Sequence, residues 1–389
     1  MTGHKTDSGL HIETIERTDG FYGLESDWNA LLRSCFHNHI FVSFEWISAW
    51  WKAFGRANKL FILKVTDAGR RIVAIAPLMK TRVFFMGLPV RCISFIYNDN
   101  ASRTDFIVDK DHPAAVNGII AFLNAHPGWD TITLPNVWRE SKTFRLTVEA
   151  LKRQGCRYVV KDGLHSLYIR MPLDWNNYYT NRSVRFRKHL RNSENRINRV
   201  KDHQLRCIRN ISERPAVIQE LCSISEKSWK AQSHSHMDRK SDDRVLFEEL
   251  TRLFGERQWL DLWVLDLDQK PVAYDYLVQY NGAVYALRSD YDEKYAIYSP
   301  GSYLHLKTIR KYIEQKEPLR EYEFCGHDEE YKTKWTGDIK EHATITVYRN
   351  SWYGMLLYVL DYRLLYQAKQ WLKQFDILKK LKKIITRTR

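Results

Sequence analysis

Residues 282–335, GAVYALRSDYDEKYAIYSPGSYLHLKTIRKYIEQKEPLREYEFCGHDEEYKTKW, decide the fold. The strand formers from Val284 to Arg288 predict a strand with even-numbered residues on one face and odd-numbered residues on the other. Apolar residues at helical spacing predict a helix from Tyr303 to Ile313, and Glu321 to Phe324 predicts a second strand. Two strands joined by one helix form a parallel βαβ unit.

The turn that leads into this helix, Ser299-Pro300-Gly301-Ser302, is a candidate anion site. Pro300 presets the backbone for a helix, and Gly301 leaves the first N–H groups without a covering side chain. Those donors and the helix dipole both favour negative charge, so a phosphate or pyrophosphate suits this position. Because many helices begin this way for structural reasons alone, a purely structural turn is the alternative.

The composition indicates an ordinary globular protein of two or three domains: 389 residues, 44% hydrophobic, and no low-complexity run. The formal net charge of +15 favours an anionic partner, namely a nucleotide cofactor, nucleic acid or an acidic membrane surface. No window approaches about 18 uninterrupted apolar residues, and the first residues lack a signal-peptide core. We therefore expect a cytoplasmic chain without a membrane span.

The metal-binding residue types are scattered. The six cysteines include no Cys-x-x-Cys pair, which argues against a zinc site or a disulfide framework and predicts reduced, structural cysteines. His234 and His236 form a His-x-His pair, but no third ligand is nearby. We expect no metal.

The first half of the chain alternates helical and strand patterns. Ser43 is placed to cap a helix that ends at Gly55, and its aromatic stripe of Trp46, Trp50 and Phe54 is typical of a core. The elements that follow are a hairpin of Leu60 to Val65 with Arg71 to Leu78, a helix from Ala114 to Leu123, a strand from Trp129 to Leu134 and a helix from Ser141 to Gln154. This alternation predicts an α/β domain.

A basic helix is predicted between Asn181 and Lys201. Phe186, Leu190, Ile197 and Val200 give it a thin apolar stripe among many arginines. One interpretation is a helix that docks by its stripe and leaves the arginines in solvent. The other is a nucleic-acid surface, which an arginine-rich helix alone does not prove.

The second half repeats the pattern of the first. Trp259 to Leu267 and Pro271 to Tyr280 predict a hairpin, and Asn281-Gly282 is the turn into the next strand. Both halves therefore show strand, charged turn and strand after helices, which predicts two related domains. We place them at residues 1–160 and 161–349, followed by a basic amphipathic helical tail at 350–389.

The tail combines an apolar face with a cluster of cations. Its apolar positions are Trp371, Leu372, Phe375, Leu378, Leu381 and Ile385, and its cations concentrate between Lys369 and Arg389. The pattern is typical of a segment that docks on an anionic membrane surface. A packed helix with a solvated end is the alternative.

The chain resembles the bacterial tandem proteins with GNAT-like acyltransferase domains of the cellulose-biosynthesis CelD type, distant relatives of the Fem peptidoglycan aminoacyltransferases. The resemblance extends from about Phe41 to Trp335. It rests on Phe41-Val-Ser-Phe-Glu-Trp46 with Trp50, Ala76-Pro77-Leu78, Arg185-Phe-Arg-Lys-His-Leu190, Tyr298-Ser-Pro-Gly301, and Cys325-Gly-His-Asp328 with Tyr331, Lys332 and Trp335.

The resemblance implies an α/β fold with a mixed sheet in two tandem GNAT-like domains. The second domain would hold the active site, and the first would be a degenerate copy that shapes the acceptor cleft. Ser299, Pro300, Gly301 and Ser302 would bind the pyrophosphate of acetyl-CoA or another acyl-CoA. The usual family pattern with several glycines is absent here, because a single Gly remains. Aminoacyl-tRNA, the donor of Fem proteins, therefore stays open.

Acyl transfer by direct attack needs a base, a partner for the developing oxyanion and a proton donor for the leaving thiolate. Asp328 is the predicted base, with Asp290 and Glu330 behind it; Lys332 would stabilise negative charge, and Tyr291 would protonate the leaving group. An ordinary surface charge or core tyrosine is the alternative in each case.

The leading hypothesis is an acyl-CoA-dependent N- or O-acyltransferase acting on a polar small-molecule or lipid-linked acceptor, with a precursor of an envelope polysaccharide as one candidate. A tRNA-dependent aminoacyltransferase of Fem type and a non-catalytic binding protein are the alternatives. Under the leading hypothesis the enzyme is cytoplasmic and can work at the inner face of the membrane.

Overall fold

The computed structural model describes residues 4–5, 9–210, 216–228, 237 and 241–366. Within these ranges the strands are β1 His4–Lys5, β2 His11–Ile15, β3 Lys59–Leu60, β4 Ile62–Thr66, β5 Ile72–Ala76, β6 Leu78–Phe85, β7 Leu88–Phe95, β8 Ile107–Val108, β9 Thr131–Trp138, β10 Arg157–Arg170, β11 His203–Ile208, β12 Leu260–Leu267, β13 Lys270–Tyr280, β14 Ala283–Tyr291, β15 Glu321–Glu323 and β16 Ile339–Tyr348.

The α-helices in the same ranges are α1 Thr18–Tyr22, α2 Glu25–Leu32, α3 Phe44–Phe54, α4 Ala114–Ala125, α5 Lys142–Arg153, α6 Trp175–Thr180, α7 Val184–Asn198, α8 Val217–Glu226, α9 Ser241–Glu256, α10 Pro300–Glu314, α11 Glu330–Thr333 and α12 Trp352–Tyr358. The 3-10 helices are Ile40–Val42, Gly55–Ala57 and Glu293–Tyr298, and a π-helical segment spans Val359–Tyr366.

Helix starts follow the predicted capping residues. The Ser43 and Ser141 hydroxyls each accept a hydrogen bond from the backbone N–H three residues later, and Ser183 does the same at the start of α7. A capped start satisfies one of the N–H groups that the helix itself leaves without a partner. The predicted helices α3, α4, α5, α7 and α10 are all present, and α4 and α10 begin beside a proline without a side-chain cap.

The described strands form a mixed sheet of eleven strands, in the order β11-β12-β13-β14-β15-β10-β16-β9-β7-β6-β3, and a smaller sheet of the order β1-β2-β4-β5-β8. The fold is thus mixed α/β, as predicted. The predicted hairpins appear as β4 with β5 and as β12 with β13. Pro77 separates β5 from β6, and at that point the chain passes from the small sheet to the large one.

The two halves of the chain exchange strands. The long strand β10 follows the first half in sequence, yet it pairs with β15 of the second half through Tyr168, Ile169 and Arg170. In return β16, near the end of the described chain, pairs with β9 of the first half. The predicted boundary between residues 160 and 161 therefore falls inside β10, a strand that both halves use.

Each half contains a βαβ unit with parallel strands. In the second half β14 and β15 are parallel and α10 connects them, as the sequence predicts. In the first half β7 and β9 are parallel, and the connection between them contains α4. The expectation that the second half repeats the first is thus visible at the level of this unit.

The predicted alternation of side chains along β14 fails at one point. Tyr276 of β13 pairs with Arg288, whereas Leu277 pairs with Ala286, so Leu287 is an extra residue in a β-bulge. The bulge places Arg288 near the Phe247 ring, at 5.9 Å, on the same side as Tyr285. The even-odd rule was wrong for Arg288 because a bulge shifts every later residue by one position.

Several elements were not predicted from the sequence. Among them are the hairpin of β6 and β7, most of β10, β11, and the short helices α1, α2 and α6, while β16 begins five residues before the predicted Thr344. The His234 and His236 loop and the predicted tail from Lys369 to Arg389 lie outside the described residues. None of the described helices is long and apolar enough to cross a bilayer.

Candidate functional site

Strands β14 and β15 separate shortly after they begin to pair. Their register contains only Ala283 to Tyr285 on β14, against Glu321 to Glu323 on β15. From Ala286 to Tyr291, β14 continues without β15 beside it. The strands thus diverge toward their carboxyl ends, where open α/β sheets commonly bind ligands.

A cleft of about 390 Å³ lies at this point of divergence. Its walls come from α7, the end of β14, the start of α10 and the segment after β15. The lining residues are Phe186, His189, Tyr274, Ser289, Asp290, Tyr291, Ala296, Ser299, Gly301, Ser302, His305, Tyr331, Lys334 and Trp335. The structure therefore brings together five of the residues predicted from sequence: Asp290, Tyr291, Ser299, Gly301 and Ser302.

The start of α10 faces the cleft with free donors. Ser299 has a left-handed backbone, with φ of 52°, and its side chain does not cap the helix. Among the described residues, the N–H groups of Gly301 and Ser302 have no hydrogen-bond partner, whereas that of Tyr303 donates to the Ser299 carbonyl at 3.2 Å. A Cβ atom on Gly301 would lie 3.5 Å from the Tyr291 ring, so glycine keeps this entrance open.

Helix α7 fixes the turn before α10. The Ser193 hydroxyl donates to the carbonyls of Tyr298 and Ser299, at 2.8 and 3.0 Å. His189 Nε2 lies 3.0 Å from Ser302 Oγ, and Arg196 donates to the Ile297 carbonyl at 2.5 Å. The predicted apolar stripe of α7 is buried through Phe186, Leu190 and Ile197, so this helix is docked on the site while other arginines stay exposed.

A histidine and a carboxylate form a pair at the cleft wall. His305 on α10 is buried, and its Nδ1 lies 3.1 Å from Asp275 Oδ2. A carboxylate oxygen accepts, so Nδ1 is the donor in this contact and Nε2 is the ring nitrogen left for other partners. The Thr308 hydroxyl also donates to Asp275 at 3.4 Å, and the His305 ring stacks on Tyr331 with an interplanar angle of 7°.

Asp290 is held by three neighbours at the end of β14. Its Oδ2 accepts from the Tyr274 hydroxyl at 2.7 Å, from Ser225 at 2.8 Å and from Arg288 Nε at 3.0 Å. Burial, followed by the Asp290 charge, raises the pKa of Tyr274 well above its ordinary value. Burial also raises the pKa of Tyr291, so this phenol keeps its proton at neutral pH.

Asp328 and Lys332 lie outside the cleft. Asp328 is exposed on the loop after β15. Lys332 is buried, and its ammonium donates to the carbonyls of Cys325 and His327, both at 2.7 Å, and contacts Glu329. Through these bonds Lys332 stabilises the loop that follows β15. The structure therefore does not bring these two residues to the reacting groups of the cleft, and Glu330 is exposed beside them.

A second, more polar cavity of about 510 Å³ lies where the two halves meet. Arg103 and Lys340 line it, and both pair with the fully buried Glu323, at 3.0 and 3.1 Å. Burial alone would raise the pKa of Glu323, but the two cations hold it at about 2. His39 also lines the cavity and is buried, and neither of its ring nitrogens has a partner among the described residues.

Sequence reasoning missed His305, Asp275 and the Arg103 network. His305 stands between Leu304 and Leu306, where it looks like one polar residue in a helix. Asp275 lies within the apolar strand β13, and a carboxylate in a buried strand was the available signal, because buried charges need partners.

A family model of the acetyltransferase (GNAT) domain matches residues 184–333. Among solved structures, FemX is similar with a TM-score of 0.61 and 13% identity, covering 90% of this chain and 99% of that chain. A conserved protein of unknown function from Bacteroides thetaiotaomicron follows, with a TM-score of 0.53, 13% identity, and 87% and 100% coverage. L-PGS from Bacillus licheniformis is similar with a TM-score of 0.50 and 12% identity, covering 86% of this chain and 95% of that chain. No curated protein matches this chain.

At such low identities the similar structures show the fold alone, and they cover nearly the whole of both chains. The family match covers all of α7, the cleft and α10. The finer resemblance to the CelD type stays a prediction. Residues 184–333 are therefore similar to a GNAT-type acetyltransferase domain, in a chain with a mixed α/β, GNAT-like fold.

Proposed function

We propose that this protein transfers an acyl group from acyl-CoA directly to the nitrogen or oxygen of a polar acceptor. One observation carries the proposal: the free N–H groups at the start of α10 face the same cleft as His305, and His305 is paired with Asp275 behind it. The first feature suits the anionic part of a donor, and the second suits proton removal from an acceptor.

The donor would lie along the cleft. Its pyrophosphate would meet the N–H groups of Gly301 and Ser302, where the helix dipole adds to the attraction. The amide-bearing arm of coenzyme A would extend along β14 beyond Tyr285, because that edge has lost its neighbour β15 and can pair with an extended ligand. One glycine is enough for a pyrophosphate to approach this turn, because the Ser302 side chain is small and Pro300 has no N–H group that needs a partner.

The chemistry would proceed without an acyl-enzyme. The acceptor nitrogen or oxygen attacks the thioester carbonyl carbon, and His305 Nε2 takes the proton that the acceptor loses. Asp275 holds the His305 ring in the tautomer that this step needs. The tetrahedral intermediate then breaks its carbon–sulfur bond, and Tyr291 donates a proton to the leaving thiolate. The products are the acylated acceptor and free coenzyme A.

The acceptor class is part of the proposal. A sugar or lipid-linked precursor of an envelope polysaccharide, met at the inner face of the membrane, follows from the sequence resemblance. Within this proposal, His305 takes the role that the sequence assigned to Asp328, because His305 lines the cleft and Asp328 does not.

Aminoacyl transfer from tRNA is the second candidate. The observation that favours it is the exposed arginine face of α7, which includes Arg185, Arg191 and Arg199 on the helix that fixes the cleft. Phosphate contacts from such a face weaken steeply with salt. A gel shift with bulk tRNA at low salt tests this candidate, and absence of binding there removes it.

The test of the main proposal is thiol release from acetyl-CoA with a panel of amine and hydroxyl acceptors. We expect His305→Asn to lower turnover by about 10² or more, the usual scale for a lost general base. Asn keeps a donor near the Nδ1 position for Asp275, so the fold and the affinity for coenzyme A should persist. The comparison variant is Asp328→Asn, for which we expect turnover within a few-fold of wild type.

The opposite result, a large loss for Asp328→Asn and none for His305→Asn, would return the base to Asp328. Failure of coenzyme A to bind at all, measured by calorimetry, would reject acyl-CoA as the donor. A protein that binds coenzyme A but acylates none of the acceptors, under conditions where the fold is intact, would support the non-catalytic alternative.

A further inference from the structure

An exposed apolar surface lies far from the cleft in sequence, on the β6–β7 hairpin and on α12. At the tip of the hairpin Val83, Phe84 and Met86 are 43%, 80% and 64% exposed. On α12, Trp352, Met355 and Leu356 are 79%, 44% and 37% exposed. We call these six residues the apolar tip. Large apolar side chains in such a group mark an interaction surface, whereas single ones need no explanation.

The apolar tip stands on a rigid base. The Tyr353 hydroxyl donates to the Pro89 carbonyl at 2.7 Å and joins α12 to the hairpin. Beneath them a separate core cluster contains Val90, Val159, Tyr348 and Leu357, with Phe85, Leu88 and three tyrosines packed against it. The hairpin and the helix are thus fixed relative to each other.

The charges around the apolar tip are positive. The hairpin from Lys80 to Arg91 contains three cations and no acidic residue. Lys80 pairs with Glu16 at 2.8 Å and Arg91 with Asp130 at 2.7 Å, whereas Arg82 is exposed and has no acidic partner among the described residues. Asp361, in the π-helical segment after α12, is paired with Lys161 at 2.5 Å. In the sequence, residues 367–389 follow the described part of the chain and contain eight Lys and Arg against one Asp.

We propose that the apolar tip docks this protein on a bilayer that contains anionic lipid. Phe84, Met86 and Trp352 would enter the interfacial region, where aromatic side chains are favoured. The surrounding cations, each contributing on the order of 1 kcal/mol near an anionic surface, would add electrostatic attraction. A second copy of the chain is a poorer occupant, because each copy carries a formal net charge of +15.

The experiment is co-sedimentation of the full chain with vesicles of phosphatidylglycerol and phosphatidylcholine, and with vesicles of phosphatidylcholine alone. We expect binding to the anionic vesicles that weakens as salt is added. The double variant Phe84→Ser with Met86→Ser should bind at least about tenfold more weakly, since it removes two inserted side chains. Both residues are exposed, so the change leaves the core intact.

The matched control is Leu173→Ser. Leu173 is fully exposed but lies on the segment before α6, so it removes apolar surface without touching the apolar tip. We expect this variant to bind vesicles as wild type does. A second variant, Trp352→Ser, should resemble the hairpin variant, because α12 would enter the same surface.

Two results would overturn the proposal. Equal vesicle binding by wild type and the hairpin variant would mean that another part of the chain, and not the apolar tip, binds the bilayer. Self-association of wild type that the hairpin variant loses, with no vesicle binding by either, would mean that a second copy covers it. Neither result depends on enzymatic activity, so this proposal and the proposed acyl transfer can fail separately.

Discussion

The two halves of the molecule each place a helix with an early proline between parallel strands, but only one of these helices opens on a cleft. In the second half α10 begins Pro300-Gly301, and the N–H groups of Gly301 and Ser302 stay available. In the first half α4 follows Pro113, and the N–H of Ala115, the position equivalent to Ser302, donates to the His112 carbonyl at 3.0 Å.

The carboxylates near the two helices differ in the same way. The Asp109 carboxylate, which precedes α4 in the sequence, accepts hydrogen bonds from Ser34 Oγ at 2.7 Å, the Asp111 N–H at 2.9 Å and Arg71 at 3.3 Å. Asp275, beneath α10, holds a histidine that lines the cleft. The first half therefore uses its polar groups to close the turn, and the second uses them to build a site. A shared fold does not carry a shared function.

The largest effect should come from closing the entrance at α10. Gly301→Val places a branched side chain against the Tyr291 ring and over the free N–H groups. We expect coenzyme A affinity, measured by calorimetry, to fall by about 10² or more, because the site loses its charge-assisted contacts to phosphate.

The matched control is Ala114→Val at the equivalent position of α4, where the residue is exposed. It should leave the affinity for coenzyme A within about twofold of wild type, the change expected for a surface residue away from the site. If both substitutions weakened binding alike, the two helix starts would not differ in function.

A smaller effect should follow from Asp275→Asn. This change keeps the side chain's shape but removes its charge and replaces one accepting oxygen with an NH2 donor, which favours the other His305 tautomer, so we expect kcat to fall about 10-fold to 100-fold. The KM for acyl-CoA should stay near the wild-type value, because Asp275 does not line the cleft. A rise in KM with kcat unchanged would make Asp275 a packing residue only.

The smallest effect should be on stability, from Asp109→Asn in the first half. Burial alone would raise the pKa of Asp109, but hydrogen bonds from Ser34, Asp111 and His112, with the Arg71 charge, hold it below its ordinary value. A depressed pKa stabilises the fold above the unfolded-state pKa, near 3.9, and this contribution is lost as the pH falls below it.

Urea unfolding of the Asp109→Asn variant should therefore show a loss of about 1 to 2 kcal/mol at pH 7, the scale of lost hydrogen bonds to a charged group. The difference from wild type should shrink toward pH 3. Turnover per folded molecule should not change. A stability loss of the same size at both pH values would show that the Asp109 charge has no part in it.

The sequence was sufficient for the local elements of the second half. Caps, the Asn281-Gly282 turn and the apolar period of α10 are local signals, and the structure has them where they were predicted. The turn at Ser299 to Ser302 was found for the same reason, since a helix start is defined by adjacent residues. The turn lies in a cleft with Asp290 and Tyr291 because the βαβ unit places the start of α10 next to the end of β14.

The proposed His305–Asp275 pair was harder to find from the sequence because it depends on a contact between distant residues. His305 and Asp275 are 30 residues apart, and their pairing requires the register of β13 under α10. The bulge at Leu287 likewise depends on how β14 pairs with β13, and the residues of β14 alone do not predict that pairing. Asp328 was plausible from its place after a strand, but the loop that carries it is braced by Lys332 and turns it to solvent.

The exchange of β10 and β16 has a consequence for how the chain is made. Until Ile339–Tyr348 has left the ribosome, the first half lacks the strand that lies between β9 and β10, and the edge of β9 stays open for more than half of synthesis. An open edge is a template for pairing with another chain. The first half therefore cannot mature as an independent folding unit during translation, and a nascent chain stalled before β16 would be a target for chaperones.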